Sequence, residues 1–280
     1  YELQCMTAGK IIFGALDFAN EYLRQGFTTI RDCGSSYNCA ASIRDAISEG
    51  IIKGPRIVSC GLIVTPTETG NDTFSDLYAE ADGPEEMRKV CRRELQKGND
   101  FIKLMVSGAF MNEGAEPGIQ IAEPEEIEAA VAAARRKSTY VCAHCHGTES
   151  IKAAIRAGVR TVEHGTFIDD EGISMLKNSD YTYLVPTGAV GLYCLDESNP
   201  DVSAELLEKS KAAAEIEIAN INKAYEAGLK LGFGSDIDLA ALRAHPGYEF
   251  IARKEYYNFD DLDILLQATK YSAEIIGAAE

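Results

Sequence analysis

Residues Tyr140–Gly147 read YVCAHCHG. As a string, this segment fits three chemistries. Cys142-Ala-His-Cys145-His146 matches the c-type haem attachment pattern, Cys-x-x-Cys is the spacing of a redox pair, and His-x-His is common in metal sites. Backbone period decides between them. In an extended chain successive side chains point to opposite faces, so Cys142, His144 and His146 share one face while Val141, Ala143 and Cys145 share the other. The two cysteines then cannot reach each other or a pair of haem vinyl groups. The two imidazoles can reach one ion. The segment reads as a strand ending in His-x-His, with the cysteines as small fillers.

Outward from this strand, two periods alternate along the chain. Strands are expected at about 27–32, 56–62, 101–106, 139–145, 159–164, 181–186 and 229–235. Helical stretches are expected at about 7–25, 38–50, 84–98, 123–137, 148–157, 170–178 and 203–227, with a helical tail through 247–279. Gly26, Gly158 and Gly228 stand where a helix C-cap glycine belongs. Strand–helix alternation predicts parallel strands joined by crossover helices. A doubly wound sheet and a (β/α)8 barrel both fit. No G-x-G-x-x-G opens a helix after a strand, so dinucleotide binding is not indicated. Seven strands are expected and a barrel closes with eight; the eighth would precede residue 1. The whole of 1–280 is expected to form one barrel domain.

The chain has 280 residues and a formal net charge of −17, from 44 acidic against 27 basic residues. Such a surface excludes nucleic acid as a partner, because phosphates need Lys and Arg to neutralise them. No run is apolar enough to span a membrane. Cysteines at 5, 33, 39, 60, 91, 142, 145 and 194 are scattered, several in apolar runs. They are expected to be free thiols in a reduced, cytoplasmic protein. Tyr1 does not resemble a true start, which leaves export open.

Ionisable residues gather at the strand ends. Lys103 interrupts the apolar run FIKLMV, His144 and His146 end one strand, His164 ends another, and Asp236 follows LKLGFGS. The C-terminal ends of parallel barrel strands converge on one face, where active sites are built. Three of the four histidines fall at such ends, which points to a site more strongly than any one of them would. A lysine inside a strand must pair, act as a Schiff base, or be carbamylated by CO2 into an anionic ligand. Beside His and Asp, the ligand role fits best, and imidazole with carboxylate oxygen suits Zn2+. His245, on a loop after the last strand, is a candidate for touching substrate. Ser107 and Gly108 are expected to shape a loop, since no His-activated Ser motif surrounds them.

GFTTIRDCG, GPRIVSCG, DFIKLMVSGA, VCAHCHG, GVRTVEHGT, GFGSD and ATKYSAEIIGA resemble, in order and spacing, the metal-dependent amidohydrolase superfamily. The branch most similar is the imidazolonepropionase-like and Xaa-Pro dipeptidase-like (prolidase-like) one. The resemblance implies an α/β fold, a (β/α)8 barrel carrying one or two metal ions, usually zinc. It implies that Lys103 is the carbamylated ligand, that His144 and His164 are metal ligands, and that Asp236 both binds metal and shuttles a proton. It gives His146 a substrate-polarising or carboxylate-binding role. Two departures stand out: the family's first-strand Asp-x-His-x-His and its small β-sandwich domain are absent from the chain, and a Gly-Gly-His-Gly-Asp-like loop is replaced by Thr69-Gly70-Asn71-Asp72. The implied reaction is hydrolysis of an amide in a small substrate, a dipeptide of Xaa-Pro type or an N-acyl amino acid, by metal-activated water. A cyclic amide is the alternative. A Schiff-base lyase using Lys103 and a non-catalytic barrel are the rivals from other classes. No membrane partner is expected; self-association into a homo-oligomer is left open.

Overall fold

The chain's helices begin where its capping residues stand. In the computed structural model, which describes residues 7–74, 76–200 and 202–278, the Thr7 hydroxyl accepts the Lys10 N–H and opens α1 (Ala8–Arg24). Next come β1 (Thr29–Asp32), α2 (Cys39–Ser48), β2 (Arg56–Ser59), β3 (Ile63–Thr65), β4 (Tyr78–Glu80), α3 (Gly83–Gln96), β5 (Ile102–Met105) and α4 (Pro124–Arg135). They are followed by β6 (Val141–Cys145), α5 (Thr148–Ala157), β7 (Thr161–His164), α6 (Asp170–Lys177), β8 (Tyr183–Val185), α7 (Gly188–Leu195), α8 (Ala204–Glu226) and α9 (Leu239–Ala244).

Two compact units are present. The first comprises residues up to Met105 together with Glu123–Cys142. Within it β1 pairs with β2, and β3 lies between β4 and β5, all parallel. Helices α3 and α4 pack together. α4 starts at a capping box, in which Glu123 and Glu126 satisfy each other's backbone N–H groups, with Pro124 in the first turn. Its alanines (Ala129, Ala130, Ala133, Ala134) are buried and let α3 come close, with Met87, Val90 and Cys91 buried on the α3 side.

The second unit holds 106–122 and everything from Ala143 onward. There β7 and β8 run parallel, with Val162 opposite Leu184. Asp169, Ser203 and Asp238 cap α6, α8 and α9 with their side chains. The expected helical tail is not one helix. It breaks into short pieces with π-helical turns at 252–256 and 267–271. The fully buried Arg253 sits in the first, and the buried Gln267 in the second. Arg253 donates to Glu249, to Gln267 and, at 2.8 Å, to the Pro186 carbonyl just past β8.

Other expectations are corrected in detail. The strand expected at 56–62 ends at Ser59; Gly61 at φ +73 turns the chain, and a further strand, β3, starts beyond the expected bounds at Ile63. β4 is too short to show a period, and α7 was hidden in an all-apolar run. The strand expected at 229–235 is reduced to a single bridge between Leu184 and Leu231. Seven described cysteines are free, and Cys5 lies outside the described residues. Among the described residues no helix is long and apolar enough to cross a membrane.

Candidate metal centre

β6 is buried along its whole length, and its alternation is the one expected from the sequence. Cys142 Sγ lies 3.8 Å from Cys33 Sγ, whereas Cys145 Sγ turns to the Ser150 carbonyl of α5 at 3.7 Å. The Cys-x-x-Cys is therefore not a pair.

His144, His146 and His164 are 6–8% exposed. One ring nitrogen from each lies within 4.8 Å of the others. The His146 and His164 rings stack at 4.5 Å and 21°, and His144 stands edge-on to both at 4.5 and 4.6 Å. His144 and His146 reach this point because they are two residues apart on one strand face. His164 reaches it through an unusual backbone: it ends β7 at φ +71, a conformation costly for a side chain with a Cβ. Asp236 has the same peculiarity at φ +53.

Each imidazole has one ring nitrogen engaged by a hydrogen-bond partner. His144 Nε2 lies 3.2 Å from the Gly108 carbonyl, which can only accept, so the proton is on Nε2 and Nδ1 offers its lone pair. His146 Nδ1 is 2.9 Å from the Thr166 hydroxyl, and His164 Nδ1 is 2.7 Å from the Thr187 hydroxyl. Such outer partners fix ring orientation in metal sites. The Gly108 carbonyl is brought in by a folded loop. The Gly108 N–H donates to Ile119, and a Cβ at 108 would stand 2.5 Å from the Glu116 carbonyl oxygen, so only glycine fits. Ser107 serves this loop as expected: its hydroxyl accepts the His146 N–H at 2.9 Å and donates to Gly108.

The other candidates stand on other elements. Lys103 is in the first unit on β5, 5% exposed, opposite Ile63 of β3. Asp236 is exposed and adds no atom to the set of three; its negative charge, with that of Glu217, joins burial in pushing the Cys194 thiol up to about 11. His245 is exposed beyond α9, stacked on Tyr248 at 4.6 Å, and also stands outside the set. Asn71, in the divergent loop, is buried and donates to the Pro66 carbonyl and to Glu80 at 3.1 and 2.9 Å, a bracing role. Glu217 escaped the sequence reading. It sits in the stripe Ala213-Glu217-Ile221-Ala224 of α8, and a carboxylate on an otherwise apolar helix face was the available signal.

The model of the amidohydrolase family matches residues 7–280. The chain belongs to the amidohydrolase family. Its fold is the TIM-barrel-like α/β fold of that family, with parallel strands, as the sequence indicates. Among family members with solved structures, an Xaa-Pro dipeptidase with methionine bound in its active site aligns with a TM-score of 0.87 and 28% identity, over 98% of this chain and 70% of that one. A prolidase complexed with N-methylphosphonate-L-proline aligns with a TM-score of 0.82 and 28% identity, over 94% of this chain and 67% of that one. Ochratoxinase of Aspergillus niger is 29% identical over 238 residues, 77% of this chain and 49% of that protein. The chain thus spans about half the length of the curated amidohydrolase relatives it matches.

Proposed function

We propose that the chain carries the site of a metal-dependent amidohydrolase that cleaves an amide or peptide bond in a small substrate, an Xaa-Pro dipeptide or an N-acyl amino acid. The observation that carries this reading is the meeting of three buried imidazoles, each oriented through its second nitrogen. Their chemistry fits a divalent cation: neutral imidazoles offer lone pairs, and Zn2+ takes nitrogen and carboxylate oxygen. His144 through Nδ1 and His164 through Nε2 are the proposed nitrogen ligands. Lys103, carbamylated, and Asp236 are the oxygen ligands that the family resemblance supplies. A bound divalent ion supplies Lewis acidity, which lowers the pKa of water and polarises a carbonyl.

The chain's own residues supply the rest. Asp236 takes the proton of the attacking water and later gives it to the leaving nitrogen, so that a carboxylic acid and an amine are released. His146 faces the carbonyl oxygen or the substrate carboxylate and stabilises negative charge there. His245 contributes a weak outer contact to substrate. The relatives' bound methionine and phosphonate-proline support an amino-acid or proline moiety in the substrate.

The test is metal analysis joined to hydrolysis of a library of dipeptides, N-acyl amino acids and cyclic amides. The expected result is about one or two divalent ions per chain, hydrolysis lost on chelation and regained on adding Zn2+. Full activity in metal-free protein, or borohydride trapping of substrate on Lys103, overturns the proposal.

A further inference from the structure

Glu217 is a half-buried carboxylate that the mechanism above does not use, and its contacts lead back to the site. One oxygen accepts the Tyr257 hydroxyl, and the other lies 3.5 Å from the Thr166 hydroxyl. Asn220, one helical turn on, donates to the Thr166 carbonyl at 3.1 Å. Two residues of α8 therefore clamp Thr166, whose hydroxyl in turn meets His146 Nδ1 at 2.9 Å. Burial pushes the Glu217 carboxyl above its ordinary value, while the two hydroxyl donors pull it down.

We propose that Glu217 is a positioning residue for His146: through Thr166 it keeps a proton on Nδ1 and leaves Nε2 as the working nitrogen. The argument is one of donors and acceptors. A carboxylate accepts only, so the Thr166 proton goes to Glu217. The Thr166 oxygen is then an acceptor toward His146, and Nδ1 must carry the hydrogen. The ring is also held in place, with the His164 face at 4.5 Å on one side and Phe110 edge-on at 4.7 Å. With orientation set by packing, the position of the proton is what Thr166 and Glu217 decide.

This inference rests on the hydrolase reading for its purpose, but it is tested without it. The chain has four histidines, so 15N-histidine NMR of the metal-free protein resolves each ring, with His146→Gln assigning its own. His146 is expected to be mainly the Nδ1–H tautomer, and Glu217→Gln, which can donate to Thr166, is expected to move it toward Nε2–H. Thr166→Val should do the same, and Thr166→Ser should retain the wild-type resonances. In the metal-loaded enzyme, Glu217→Gln should lower kcat about 10–100-fold with a much smaller change in KM, as for outer partners of site histidines. Unchanged His146 resonances in a folded Glu217→Gln overturn the proposal. Should that variant not fold, the Thr166→Val and Thr166→Ser pair decides in the same way. Resonances that move as expected in a protein without hydrolase activity would sink the hydrolase reading alone.

Discussion

The two units treat buried polar side chains differently. In the first, the buried charged side chains ride on regular elements: Glu94 within α3, Glu126 in the capping box of α4, Lys103 inside β5. In the second, His144, Lys152 and Glu163 ride on β6, α5 and β7 in the same way, but others sit where the backbone leaves regularity. His164 is at φ +71, and Arg253 and Gln267 occupy π-helical turns. Extra or strained residues of this kind are concentrated at functional sites because they aim side chains that an ideal helix or strand would not. The difference teaches that His164 and the Arg253–Gln267 pair are aimed by irregular backbone, which the surrounding hydrogen bonds must stabilise, whereas His144 is aimed by a regular strand.

Removing the aimed groups should do the most damage. His164→Ala is expected to cut hydrolysis on the order of 10³-fold or more and to lower metal content, with the fold retained by circular dichroism. An active variant would show that the irregular end of β7 is not where the chemistry lies. Next comes the support. Arg253→Ala leaves Glu249 buried without its partner and should cost about 3–5 kcal/mol in urea unfolding, whereas an Arg253→Met/Glu249→Leu double variant should recover much of that. Equal losses in both would mean that packing, and not uncompensated charge, governs the π turns.

The first unit gives a gentler, pH-dependent effect. Burial raises the Asp32 carboxyl to about 6, against hydrogen bonds from Ser35, Ser59 and Gly34. Its folded-state pKa thus exceeds its unfolded one, so folding favours the protonated form. That contribution is present below about pH 4 and is lost as pH rises to about 6. The stability of Asp32→Asn minus that of wild type should therefore grow between these values and be flat above them; a flat difference throughout would refute the shift. Smallest is His245→Ala, expected to raise KM about twofold, the scale of one exposed contact.

What was legible in the sequence follows the same division. Seven helices, from α1 to α6 and α8, lie within a few residues of their expected bounds, because each has an apolar stripe and α1, α4, α6 and α8 also open on side-chain caps. Gly26, Gly158 and Gly228 have the positive φ expected of helix ends. The His-x-His face was legible because strand alternation is a strict period. The tail at 247–279 was not, since Arg253 and Gln267 look like surface residues until the π turns direct them inward. Thr166 and Thr187 were also invisible, as a hydroxyl that orients a ring looks like any other hydroxyl in a sequence, whereas Glu217 left a signal in its place among the apolar residues of α8. The strain at His164 and Asp236 needs a backbone to be seen at all.

Among the three imidazoles, His144 takes its orientation from main chain, through Gly108. A carbonyl cannot be mutated away, so the residues around it are free to drift as long as the path of their backbone is kept. That path is fenced: a Cβ at Gly147 would stand 2.2 Å from the Gly118 carbonyl oxygen. Evolution can therefore rewrite exposed side chains of this loop, such as Met111 and Ile119, and leave the proton on His144 untouched.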